Sequence, residues 1–130
     1  SRLEKLAKDL GVESAVRFIG FVPHKNILHC YRSSDLFVMP SNREGFGIVF
    51  LEAAGCGLPV IAGDSDGSVD ALLEGRLGLL SNDTKLADDI ETALRGGTPH
   101  GPELSGRAHE TFGREAYERQ LEKILRENPT

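Results

Sequence analysis

"SNREGFGIVFLEAAGCGLPVIAG" (residues 41–63) is the stretch that decides the fold class. The run "DLFVMP" (35–40) leads into it, unbroken and apolar, as a strand buried on both faces is. A turn with Gly45 and Gly47 follows. "GIVFLEAAGCG" then reads as a helix closed by Gly55 or Gly57, and "LPVIAG" (58–63) as the next strand. Strand, glycine turn, helix and strand make a parallel βαβ unit.

The same alternation continues on both sides. Upstream, Leu3, Leu6, Ala7 and Leu10 share one helical face that Gly11 stops, "VRFIGFV" (16–22) has the β-branched and aromatic content of a strand, and "HKNILHCYRSS" places Ile27, Leu28 and Tyr31 at helical spacing. Downstream, "SVDALLEG" predicts a short helix with Ser68 as its N-cap, and "LGLL" (77–80) predicts a strand. "TKLADDIETALRG" predicts a helix capped by Asp83 or Thr84 and ended by Gly96. After the loop "GGTPHGP" (96–102) the chain is helical to its end, with Tyr117, Leu121, Ile124 and Leu125 on one face. The expected fold is a three-layer, Rossmann-like α/β domain with a parallel sheet between helices.

Composition narrows the function classes. The chain has 130 residues, 39% hydrophobic, and a net charge of −5 with both signs dispersed. A nucleic-acid groove would want a clustered basic face, so nucleic acid is not an expected partner. No apolar run approaches the roughly 20 residues that span a bilayer. Cys30 and Cys56 match no metal spacing and read as reduced, packed thiols. His24, His29, His100 and His109 form no spaced metal set, and "DSD" (64–66) is weighed as a metal site and set aside as a common acidic loop. No cofactor and no metal are expected.

In parallel α/β sheets ligands sit beyond the carboxyl ends of the strands, and residues 41–47 lie at such an end. Glycines there permit torsions closed to other residues and let a ligand approach the main chain. The free amides of the following helix favour an anion, with phosphate the natural guest. Glu44 and Glu52 suit a phosphate poorly but accept well from paired hydroxyls. Glu52 falls about 6 Å along the helix axis from Ile48. A sugar–diphosphate–ribose chain would meet such groups in turn. The competing reading makes Glu44 a favourable acid at a helix start and Glu52 a solvated helix residue.

"VRFIGFVP", "YRSSDLFVMPS", "EGFGIVFLEAAGCGLPVIA" and "GSVDALLEGRLGLL" together resemble the nucleotide-sugar-binding half of the retaining GT-B glycosyltransferases of family 4. The resemblance runs from about residue 2 to 94, and the last helix resembles that family's closing helix. Its specific core is E-x₇-E from Glu44 to Glu52, with Gly-Phe-Gly inside it and Cys-Gly-Leu-Pro-Val after it. It implies that Glu52 accepts from the ribose hydroxyls. It implies that Glu44 lies catalytically against the donor sugar and the anomeric carbon. Amides around Gly45, Phe46, Gly47, Ile48 and Val49 would meet the diphosphate or sugar, and Phe21 and Val22 would border the base. The implied partner is a UDP-, GDP- or ADP-linked sugar, its leaving diphosphate held by helix ends and basic side chains instead of a metal.

The same resemblance implies two further strands with a basic clamp ahead of "SRLEKLAKDLG", and an acceptor-binding half. Residues 1–130 are therefore expected to be one partial domain, truncated on its N-terminal side, with 103–127 a closing helical segment. The bases near the turn are Arg43 and Lys25; Arg43, adjacent to Glu44, is the one that could partly serve for the clamp, the competing reading being a solvent-exposed loop arginine. The expected way of closing the gap is direct pairing of 16–22 with 36–40, or an edge borrowed from a second copy, because a bare edge invites aggregation. The chain alone is expected not to turn over, and a cytoplasmic location, at most at the inner membrane face through the absent half, follows from the resemblance. The alternative is a non-catalytic nucleotide-sugar-binding module or subunit completed by another chain. An NAD- or flavin-dependent domain would carry G-x-G-x-x-G after the first strand, which is missing here.

Overall fold

In the computed structural model of this chain, residues 1–40, 47–65, 67–72, 74–116, 118, 119 and 126 are described. Helices α1 (Arg2–Asp9) and α2 (His24–Arg32) precede strand β1 (Phe37–Met39), helix α3 (Ile48–Gly55) and strand β2 (Val60–Gly63). Helix α4 (Gly67–Ala71), strand β3 (Leu79–Ser81), and helices α5 (Leu86–Leu94) and α6 (Gly101–Phe112) follow. The sheet runs β1-β2-β3 and both pairings are parallel, with Val38 opposite Ile61 and Ala62 opposite Leu80. This is the expected α/β class: a parallel three-stranded sheet flanked by helices.

Consecutive strand residues point to opposite faces. Val60, Ile61 and Ala62 are all fully buried, so β2 is covered on both sides. Val60 and Ala62 join Phe50, Ala53, Ala54, Leu72, Leu77 and Leu104 in one apolar cluster between sheet, α3 and α6. Ser105 Oγ donates to the Gly55 carbonyl at 2.7 Å, tying α6 to the otherwise open last turn of α3.

Glycine and capping set the helix ends. α1 opens with a capping box between Ser1 and Glu4. α3 stops in a Schellman motif: Gly57 N–H bonds Ala54 O at 2.8 Å and Leu58 N–H bonds Ala53 O at 3.1 Å, with Gly57 left-handed at φ +76°. Of the two glycines expected to close this helix, Gly57 is thus the stop, and Gly55 is its last helical residue.

Several expectations need correcting. Residues 16–22 form no strand and do not pair with β1, whose only strand neighbour among the described residues is β2. Gly20 sits at φ +65°, which breaks an extended run, and among the described residues no strand pairs with it. The segment is left open instead: Phe21 is 90% and Ile19 62% exposed. Ser68 is not an N-cap but lies within α4, its hydroxyl buried with no partner among the described residues. α5 is capped by neither Asp83 nor Thr84. Lys85 stands at its N-cap, while the Thr84 hydroxyl is spent on Asn82 Oδ1 at 2.6 Å. Gly96 does end α5, at φ +83°. Tyr117, Leu121, Ile124 and Leu125 lie outside the described residues.

Candidate functional site

The carboxyl end of β1 delivers the chain toward α3, and Gly47 begins that helix. Its torsions, φ 73° and ψ 54°, are left-handed. A Cβ there would stand 2.5 Å from Phe50 Cδ2, so both conformation and space demand glycine. Phe50 N–H bonds Gly47 O at 3.0 Å. The amides of Ile48 and Val49 are first-turn donors with no intrahelical acceptor. This turn has no acidic residue and no side-chain cap hydrogen bond among the described residues. Among the described residues nothing neutralises the positive end of this helix, which favours an anion. Ile48 is 65% exposed and Val49 half-buried.

Glu52 sits one turn further on, half-buried, with Oε2 accepting a hydrogen bond from the Tyr31 hydroxyl at 3.0 Å. It is therefore not a purely solvated helix residue. Tyr31 is 5% exposed. Its ring meets Phe37 edge-on with centroids 5.7 Å apart, and Phe37 meets Phe50 in the same way at 5.9 Å. One packed series of rings thus runs from under Gly47 to the group that holds Glu52. Burial first, and then the bond to Glu52, pushes the Tyr31 hydroxyl up to about 12, so it stays a donor through the neutral range.

Glu52 lines a cavity of about 320 Å³ between α3 and α6, walled by Ile48, Leu51, Gly55, Ala108, His109 and Phe112. A larger cavity, about 520 Å³, includes Asp35, Pro59 and His100. Because Asp35 and Pro59 precede β1 and β2, it opens at the amino ends of the strands, the wrong end for a ligand of this fold. At the correct end, Asn82 Nδ2 donates to Asp64 Oδ2 at 2.9 Å, and Asp64 N–H bonds Ser81 O at 3.0 Å. The loops after β2 and β3 are thereby joined. Among the described residues no group of three metal-ligating side chains forms.

Of the residues expected at the site, Ile48, Val49 and Glu52 lie together on α3, and Gly47 is its N-cap. Phe21 is almost fully exposed and Val22 half-buried, just ahead of α2. Arg43, Glu44, Gly45 and Phe46 lie outside the described residues. Tyr31 and Phe37 escaped the sequence reading. Tyr31 was legible only as an apolar helix position, although a buried tyrosine hydroxyl needs a partner, and that need was the available signal.

In this parallel α/β unit a left-handed glycine helix start beyond β1 and a half-buried carboxylate one turn along that helix thus stand together. Residues 1–123 match the family described as Glycosyl transferases group 1, and the chain belongs to that family. Its fold is of the GT-B kind. D-inositol 3-phosphate glycosyltransferase of Frankia alni is 41% identical over 101 residues, which is 75% of this chain and 24% of that protein. GDP-mannose-dependent alpha-(1-6)-phosphatidylinositol monomannoside mannosyltransferase of Mycolicibacterium smegmatis is 37% identical over 71% of this chain and 26% of its own length. The chain thus spans about a quarter of these relatives. Among solved structures, Anabaena HepE in complex with UDP superposes with TM-score 0.79 at 27% identity, covering 98% of this chain and 36% of that one. Sucrose-phosphate synthase from Thermosynechococcus elongatus gives TM-score 0.79 at 28% identity, over 97% of this chain and 33% of that one.

Proposed function

We propose that this chain is the donor-binding part of a retaining, family 4-type glycosyltransferase and holds a nucleotide-diphosphate sugar at the start of α3. The observation that carries the reading is the pairing of an open helix end at Gly47–Ile48–Val49 with the Glu52 carboxylate one turn away. The diphosphate takes the helix-end amides, where the dipole favours negative charge. Glu52 accepts from the ribose hydroxyls, and the main chain near Phe21 and Val22 borders the base. Glu44 faces the donor sugar and steadies charge at the anomeric carbon, while Arg43 assists the diphosphate. No metal is assigned a part, since helix end and base together can take the charge of the leaving group.

Relatives named for GDP-mannose and a neighbour solved with UDP support a nucleotide sugar as the ligand class. In this reading residues 1–130 act as one partial donor-binding unit closed by 103–127. Transfer to a saccharide, lipid or small-molecule acceptor takes place together with an acceptor-binding domain, in the cytoplasm or at the inner membrane face. A match to about a quarter of each relative supports that division of labour. The test is calorimetric titration of UDP, GDP and ADP onto the chain and onto Glu52→Ala. Loss of charge-assisted hydrogen bonds to the ribose predicts roughly 10- to 100-fold weaker binding for the nucleotide that binds. Unchanged affinity in Glu52→Ala would overturn the ribose assignment.

A further inference from the structure

We propose that Tyr31 is the positioning residue for Glu52: its hydroxyl holds Oε2 and leaves Oε1, with the second lone pair of Oε2, to accept from a ribose diol. The inference rests on the ribose reading of Glu52 given above. Glutamate has three side-chain torsions, and a half-buried carboxylate at a cavity wall would otherwise have to be ordered by the ligand itself. Ordering one such side chain weakens binding by a several-fold factor. Tyr31 does this ordering in advance.

The ring is suited to it. Tyr31 is 21 residues from Glu52 in sequence and stands on a different helix, so the bond ties α2 to α3. Its own position is fixed by the edge-on contact with Phe37, which in turn packs on the fully buried Phe50 beneath Gly47. The hydroxyl is also a neutral donor. An arginine or lysine in its place would pair with the carboxylate and compete with the incoming hydroxyls, whereas a phenol aligns Glu52 and leaves its negative charge intact. A carboxylate has about four lone-pair sites, and Tyr31 occupies one of them. Burial and the Glu52 bond keep the phenol protonated well beyond neutrality.

The experiment titrates UDP, GDP and ADP, and their 2′-deoxy counterparts, onto wild type, Tyr31→Phe, Glu52→Ala and the double variant. Tyr31→Phe keeps the ring and its contact with Phe37, and thermal melting checks that the fold is retained. For the ribonucleotide that binds wild type, Tyr31→Phe is expected to weaken affinity about 3- to 10-fold, and its 2′-deoxy form by no more than about twofold. In the Glu52→Ala background the same substitution should have no further effect. Equal losses for ribose and deoxyribose, a loss that persists without Glu52, or no loss at all would overturn the positioning role while the ribose reading stood. No binding of any of the three diphosphates to wild type, or unchanged affinity in Glu52→Ala, would remove the ribose reading and this inference with it.

Discussion

Leu104 and Leu6 both belong to the apolar side of an amphipathic helix, yet Leu104 is fully buried and Leu6 is 50% exposed. The contrast extends to their surroundings. Between Gly47 and Ala108 most apolar residues close on one another around β2, with Phe50, Ile61, Leu72 and Leu77 fully buried and Ile48 and Leu94 the exposed exceptions among the described large side chains. From Leu3 to Phe21, by contrast, Leu3, Leu10, Phe18, Ile19 and Phe21 all remain substantially exposed. Periodicity shows that a face is apolar, but not whether another element of the chain is there to cover it. The site belongs to the closed region, where Gly47, Glu52 and the rings behind them are held by packing.

Three measurements would break or sharpen that contrast, beside the nucleotide titrations above. The largest effect is expected from Leu104→Ala, which removes a fully buried side chain between α6 and the sheet and should destabilise the fold by about 2–5 kcal/mol in urea denaturation. A cost below about 1 kcal/mol would mean that the α3–α6 interface is not the closed core described. A smaller effect concerns alkaline pH. Tyr31 is raised in the folded chain from the ordinary tyrosine value of about 10 to about 12. Its protonated form therefore contributes stability that is complete below about pH 10 and is lost as pH rises toward 12. Tyr31→Phe should lose less stability than wild type across that window, lysine deprotonation being common to both. Parallel urea midpoints for the two proteins through the window would disprove it. The smallest effect is expected from Leu6→Ala, within about 0.5 kcal/mol of wild type, because the side chain gives up little buried area. A large loss there would show that the face of α1 is covered in solution.

Much of the fold was legible because its signals are local. β1, α3 and β2 followed from an apolar run, a glycine turn and a helix stopped by glycine, and all three are present. Gly47 was recognisable as the turn into α3, and Glu52 as the carboxylate one turn along. Residues 16–22 carried an equally good strand signal, but a strand exists only when a neighbour completes its hydrogen bonds, and Gly20 turns left-handed where none among the described residues does. Ser68 and Thr84 failed as caps for a similar reason. Whether a hydroxyl caps depends on where its helix begins, and spacing fixes that only to within a residue or two.

The sequence by itself determined the parallel βαβ class, the glycine that opens α3 and the placing of a carboxylate one turn beyond it, because torsional preference and side-chain periodicity act over a few residues. Only the tertiary structure decided that Tyr31 bonds Glu52, that three aromatic rings connect that bond to the start of α3, and that Leu3, Leu6, Leu10, Phe18, Ile19 and Phe21 stay exposed. Those outcomes depend on which elements meet in space, and contact between residues 21 positions apart in sequence is settled by packing, which no local pattern encodes.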